Sequence, residues 1–153
     1  LKTSGPIIFI TASGSVLGQI IVEAGFVQYI QQNAVSLTGI GLFFPFVIAA
    51  IIKTAQGSST VAMTTTAGIM GLYFSDASLM AALGMTTPLD AALAVMAIGA
   101  GAMTVSHAND SYFWVVTNFG GLTPQDGYRT HTLATLVMGI TSIVALYIFS
   151  LFI

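Results

Sequence analysis

Cysteine is absent from this chain, and only 5% of its 153 residues are charged. The first absence excludes disulfide frameworks, thiolate metal sites and thiol chemistry together. The second excludes a conventional soluble domain, in which about a quarter of the residues are Asp, Glu, Lys or Arg. Three Lys and Arg against five Asp and Glu leave no basic surface to follow a phosphate backbone, so nucleic-acid binding lacks its electrostatic footprint. The two His and the scattered carboxylates have no local metal-ligand spacing, and neither a metal nor a cofactor is expected. No Ser has a general base nearby in sequence except His107, so no catalytic residue is assigned and an enzyme is not expected. The chain opens on Leu1-Lys2-Thr3-Ser4-Gly5-Pro6, with no initiator Met and no basic region ahead of an apolar run. This does not read as a signal peptide, and it reads as a piece of a longer protein.

What is present is apolar: 56% hydrophobic residues, 16 Gly and a mean hydropathy of +0.94. The charges, at Lys2, Glu23, Lys53, Asp76, Asp90, Asp110, Asp126 and Arg129, separate uncharged blocks. Several of these approach or exceed the roughly 20 residues a helix needs to cross a bilayer. The expected fold class is an all-α integral membrane protein, a polytopic helix bundle with broken helices or re-entrant segments. Lys2 and Arg129 are too few to orient it by the positive-inside rule.

Three clusters of small and polar residues interrupt the apolar runs. The first is Thr11-Ala12-Ser13-Gly14-Ser15, followed by Gly18. The second, Thr54 to Thr60, follows an apolar helix expected over Thr38 to Ile52 and ended by Lys53, and precedes the apolar run Val61 to Phe74. A short segment, Ala77 to Met85, is capped by Ser75-Asp76. Thr87-Pro88 with Asp90 marks a helix start, and that helix runs to about Val105. The third cluster, Ser106-His107-Ala108-Asn109-Asp110-Ser111, comes next. Thr123-Pro124-Gln125-Asp126 starts a short surface helix, and the last span is Thr130 to Ile153, with His131 near its entrance.

Backbone freed by a broken helix is costly in lipid and is tolerated only against protein or a water-filled cavity. Three such breaks therefore point to a polar site near the membrane midplane, the layout of transporters with discontinuous helices. Gly57-Ser58-Ser59-Thr60 has the composition of an anion nest, in which a small Gly uncovers amide donors and hydroxyls add more. Lys53, one turn earlier, either offsets the carboxylate of a substrate or snorkels at a helix end. His107 and Asp110 share a face if their segment is helical. Histidine ordinarily changes charge near neutral pH and is a candidate proton carrier. Alternatively, Asn109 and Asp110 cap the next helix.

At these clusters the sequence resembles the gluconate:proton symporter family, the gluconate permease group of the ion transporter superfamily. The matching stretches are KTAQGSSTVAMTTTAG, from Lys53 to Gly68, and AVMAIGAGAMTVSHANDSYFW, from Ala94 to Trp114. They correspond to the family's Gly-Ser-x-Thr-Val-Ala segment and its Ser-His-x-Asn-Asp run followed by Phe-Trp. Two positions depart from the family pattern: Lys53 stands where Arg is common, and Gln56 where an apolar residue is usual. The resemblance implies that residues 1-153 are the C-terminal transmembrane region of a longer permease. It further implies proton-coupled uptake of gluconate, or a related sugar acid or hydroxy-carboxylate, across the bacterial cytoplasmic (inner) membrane. A passive carboxylate channel or facilitator is the alternative, and a membrane-embedded enzyme a more distant one. Carried over to this chain, the substrate-binding residues are Ser13, Gly14, Ser15, Lys53, Gly57, Ser58, Ser59, Thr60, Ser106 and Asn109, with His107 and Asp110 coupling the proton. The implied partners are a small anionic substrate, protons, the lipid bilayer and the rest of the same permease. A homo-oligomer is compatible with this, and nucleic acid is not a partner.

Overall fold

Gly57 divides an apolar stretch that could otherwise run on as one helix. In the computed structural model of the chain, which describes residues 20, 23–25, 40–71 and 78–152, helix α1 (Phe43–Gln56) ends where Gly57 adopts φ +84° and donates its N–H to the Lys53 carbonyl at 2.8 Å. This left-handed closure favours glycine. A side chain is excluded for a second reason, because a Cβ on Gly57 would overlap the backbone carbonyl of Asn109. Ser58 then caps helix α2 (Ser59–Met70), accepting the Val61 N–H at 3.3 Å. The break is thus two residues long. Helix α1 passes through Lys53 instead of stopping there, because Lys53 is buried and paired and does not form a polar boundary.

Helix α3 (Leu79–Ala82) is a single turn capped by Ser78; the cap expected at Ser75-Asp76 lies outside the described residues. Helix α4 (Pro88–Met103) starts as the sequence predicts, with a reciprocal capping box between Thr87 and Asp90 and Pro88 in the first turn. It stops two residues short of Val105, because Thr104 is extended and Val105 has φ +55°. Residues 104 to 110 are non-helical, and helix α5 (Ser111–Phe119) follows.

The expected short surface helix and last span are one element. Helix α6 (Pro124–Gly127), a π turn (Tyr128–Thr132) and helix α7 (Leu133–Ser150) run without interruption. Gly127 is accommodated because it packs beneath Phe113 and Thr117, where no Cβ fits. This 27-residue helix, whose most apolar 18-residue stretch has a mean hydropathy of 2.1, is the one described helix long and apolar enough to cross a membrane. At 1.5 Å per residue it reaches about 40 Å, against about 30 Å of hydrocarbon. Helices α1 and α4 are apolar but shorter.

Packing joins these elements into an all-α bundle. Phe44, Ala49 and Ile52 of α1, Ala62 and Ile69 of α2, Leu79 of α3 and Ala94, Ile98 and Ala102 of α4 share one core. Leu93 and Ala97 of α4 meet Ile143 and Leu146 of α7 in a second. Close backbone approach depends on glycine at two crossings: Gly101 lies against the Phe46 carbonyl, and Gly139 against Thr104. The opposite side of α7 presents Val137, Ile140, Val144 and Ile148, an apolar ridge suited to lipid or to a further helix.

A buried ion pair between two helix breaks

The C-terminal end of α1 and the N-terminal end of α5 meet, and each brings a charge of the sign its helix end favours. Lys53 is in the last turn of α1, and Asp110 is the N-cap of α5. Their side chains pair at 2.5 Å (Nζ to Oδ2), with exposures of 1% and 6%. Charges this deeply buried persist only if their remaining hydrogen-bonding capacity is met. Lys53 also donates to the Gly57 carbonyl at 2.8 Å. Asp110 accepts the Ser106 hydroxyl at Oδ2 (2.5 Å) and the Tyr112 N–H at Oδ1 (2.9 Å).

These bonds overturn two expectations. Lys53 does not snorkel, since it is buried and paired with Asp110. His107 and Asp110 do not share a helical face, because their segment is a turn closed by Asp110 N–H to the His107 carbonyl at 2.8 Å. Their side chains diverge. The capping role considered for Asp110 is present, and it coexists with the ion pair.

His107 and Asn109 serve the other break. His107 Nε2 (3.2 Å) and Asn109 Nδ2 (2.7 Å) both reach the Thr54 carbonyl, which the end of α1 leaves without its usual intrahelical partner. A carbonyl can only accept, so His107 carries its proton on Nε2. The buried Asn109 Oδ1 has no hydrogen-bond partner. Trp114 Nε1 holds the Ala108 carbonyl at 2.7 Å and steadies this turn.

The expected anion nest is modified. Gly57 N–H closes α1, and Ser58 N–H is taken by Gln56 Oε1 at 3.1 Å, while Gln56 Nε2 donates to the Ser58 carbonyl at 2.6 Å. Gln56, noted above as a departure from the family pattern, thus clamps the break from both sides. Ser59 is half-buried and Thr60 exposed. Ser13, Gly14 and Ser15 lie outside the described residues.

Sequence reasoning missed the contribution of the last helix. Ser106, buried at 2% exposure, donates its N–H to Thr135 Oγ1 (3.0 Å) and receives the Thr132 hydroxyl on its carbonyl (2.6 Å). His131 Nε2 lies 3.1 Å from the Ser106 hydroxyl. The available signal was the spacing of His131, Thr132 and Thr135 on one face of an otherwise apolar helix. Among the described residues, no group of three or more His, Asp or Glu could hold a metal ion. A cavity of about 690 Å³ lined by Ile40, Met85, Asp90 and Tyr147 lies elsewhere. It is at the opposite end of α1, about 15 Å along the helix from Lys53, and it includes none of the ion-pair residues.

A helical bundle with a membrane-length apolar helix and a charged junction in its interior has the make-up of a membrane protein. Residues 1–152 match the family described as GntP family permease. The chain is 34% identical to the inner membrane permease YgbN of Escherichia coli (strain K12), over 92% of this chain and 29% of that protein. It is 34% identical to the Gnt-II system L-idonate transporter of the same strain, over 92% and 30%. It is 32% identical to that strain's low-affinity gluconate transporter, over 99% and 32%. The chain therefore belongs to the GntP permease family. It spans about a third of the length of the curated relatives it matches. No solved structure matches it. Members of this family are permeases, which move a solute across a membrane without transforming it, and the membrane-length helix of this chain accords with a membrane protein.

Proposed function

We infer that residues 1-153 form the C-terminal transmembrane region of a longer, multi-pass permease that takes up gluconate, or a related sugar acid or small hydroxy-carboxylate, together with protons. The observation that carries this reading is the buried Lys53–Asp110 pair, which links the break between α1 and α2 to the break before α5. Helices α1 and α2 are then two halves of a broken or re-entrant segment, whose exposed backbone ends are tolerated because they face protein.

An ion pair at this place supplies a coupling rule. While Asp110 is ionised it occupies the Lys53 ammonium, and a substrate carboxylate competing for that ammonium would leave two anions around one cation. Protonation of Asp110 discharges its side chain and frees Lys53 for the substrate. Substrate and proton therefore bind together. Around Lys53, the substrate's hydroxyl groups meet Ser58, Ser59, Thr60 and Ser106, with Gly57 letting the Asn109 backbone close against the break. The unpaired Oδ1 of Asn109 is an acceptor for one of them, and Ser13, Gly14 and Ser15 complete the site. His107 belongs to the same coupling unit through the end of α1.

The test is uptake of labelled gluconate into proteoliposomes holding the full-length permease, with and without an imposed pH gradient. Accumulation above equilibrium only with the gradient is expected. Simple equilibration under both conditions would indicate a passive facilitator. Asp110→Asn should abolish accumulation while retaining part of the gluconate counterflow, which needs access to the site but no net proton movement. His107→Gln should be similar or milder.

A further inference from the structure

The geometry points to His131, on the π turn of the membrane-length helix, as the group that exchanges protons with Asp110 through the hydroxyl of Ser106. Three consecutive contacts carry the inference: His131 Nε2 to Ser106 Oγ at 3.1 Å, Ser106 Oγ to Asp110 Oδ2 at 2.5 Å, and Asp110 Oδ2 to Lys53 Nζ at 2.5 Å. A serine hydroxyl has one proton to donate. Here it goes to the carboxylate, so the same oxygen accepts from His131, and Nε2 carries a hydrogen. The whole row is therefore polarised toward Asp110.

Ser106 is built as a fixed relay. Its N–H is held by Thr135 and its carbonyl by Thr132, one helix face gripping both sides of the residue. His131 is half-buried and packs against the ring of Tyr112 at 5.4 Å and that of Phe113 at 6.2 Å. The π turn that carries it is an independent sign, since single π turns within α-helices occur frequently at functional sites. The titratable or charged groups around His131 are Tyr112 from α5, then Asp110 and Lys53 through Ser106; on its own element, Tyr128 and Arg129 are exposed. His107, by contrast, directs Nε2 to the Thr54 carbonyl, which has no proton to pass on.

The transfer balances without another reactant. Imidazolium His131 gives its Nε2 proton to a lone pair of Ser106 Oγ, while Ser106 passes its own hydroxyl proton to Asp110 Oδ2. The products are neutral imidazole, an intact hydroxyl and a protonated carboxyl. The positive charge formerly on His131 is offset at Asp110, and Lys53 is left without its counterion. Rotation of the hydroxyl resets the row.

This inference rests on the proton-coupled reading, and the experiment separates the two. Full-length permease in proteoliposomes is assayed for pH-driven accumulation of labelled gluconate and for gluconate counterflow across about pH 5 to 8, the range in which histidine ordinarily changes charge. His131→Gln retains a side chain that can bond Ser106 but cannot carry the proton. It is expected to keep counterflow, to lose accumulation about tenfold or more, and to flatten the pH dependence. Ser106→Ala should lose accumulation and flatten the pH dependence, and Ser106→Thr should restore both. If His131→Gln does not reach the membrane, His131→Asn takes its place with the same readouts. Wild-type accumulation and pH profile in the His131 variant overturn the inference, as does loss of counterflow together with accumulation, which marks a structural role. Loss of the pH dependence in His107→Gln alone also overturns it. A wild-type protein that only equilibrates gluconate overturns the proton-coupled reading itself.

Discussion

Replacing Lys53 by Met should destabilise the full-length protein by about 3 to 5 kcal/mol, because the Asp110 carboxylate is left buried without its counterion. The loss should be smaller in the double variant Lys53→Met with Asp110→Asn, which removes both charges. Thermal unfolding of the purified protein in one detergent checks this as a double-mutant cycle, and additive losses would show that the pair is not coupled. Lys53→Arg keeps the charge, but its planar fork must fit a pocket shaped for an ammonium between Asp110 and the Gly57 carbonyl. The same residue-scale logic ranks two glycines. Gly57→Val is strained by φ +84° and also meets the Asn109 carbonyl, whereas Gly71, at φ +72°, faces only the side chain and Cα of Ser78. Left-handed strain alone costs about 1 to 3 kcal/mol. Gly57→Val should therefore lose more thermal stability and more transport than Gly71→Val at matched protein levels, and equal effects would count against the tight break at residue 57.

At the scale of elements, helix ends determine where polar groups sit in an apolar chain. The ends of α1 and α5 face one another with the charges their dipoles favour, and the turn from residue 104 to 110 supplies caps to both. The start of α4 is a different kind of end, closed locally by Thr87 and Asp90. Thr87→Val should lower stability by about 1 kcal/mol while leaving the pH dependence of uptake unchanged, because the cap touches none of the ion-pair residues. A shifted pH profile in that variant would mean that the two ends of α4 communicate. The π turn shows how an element can be continuous yet locally re-aimed: Tyr128–Thr132 joins α6 to α7 without a gap, and it is where His131 leaves the helix toward Ser106.

For the molecule as a whole, the arrangement of α7 makes a claim about the membrane. Ile140 is 50% exposed in the bundle, as are neighbouring apolar residues on the same side. In a bilayer that exposure is to lipid or to the remainder of the permease. The absence of Cys from this chain allows single cysteines to report it, once any cysteine elsewhere in the full-length protein has been replaced. Gln125→Cys, at the polar start of the helix, should react with a membrane-impermeant maleimide from one side of the vesicle. Ile140→Cys should not react from either side until detergent is added. Equal labelling of the two positions would place the helix outside the hydrocarbon.

Class and local punctuation were legible from the sequence, because they depend on composition and on neighbours a few residues apart. Scarce charge and long apolar blocks imply a helical membrane protein, Thr87 with Asp90 marks a helix start, and the cluster from Thr54 to Thr60 marks a helix break, which the structure narrows to Gly57 and Ser58. Expectations that assumed a local partner fared less well. By sequence Lys53 reads as the counter-charge of a substrate carboxylate or as a snorkelling lysine, and the spacing of His107 and Asp110 puts them on one face if their segment is helical. The tertiary fold joins Lys53 to Asp110 and turns His107 to Thr54, because a two-residue break and a non-helical turn set side-chain directions that no helical spacing describes. His131, Thr132 and Thr135 reach Ser106 across 25 to 29 positions of chain. Such contacts exist only once α7 has packed beside α4, at Gly139 against Thr104 and through Leu93, Ala97, Ile143 and Leu146. Local sequence chose where the polar groups would be exposed by broken helices, and long-range packing chose which of them met, since a buried charge or hydroxyl is stable only beside the partner the whole fold brings to it.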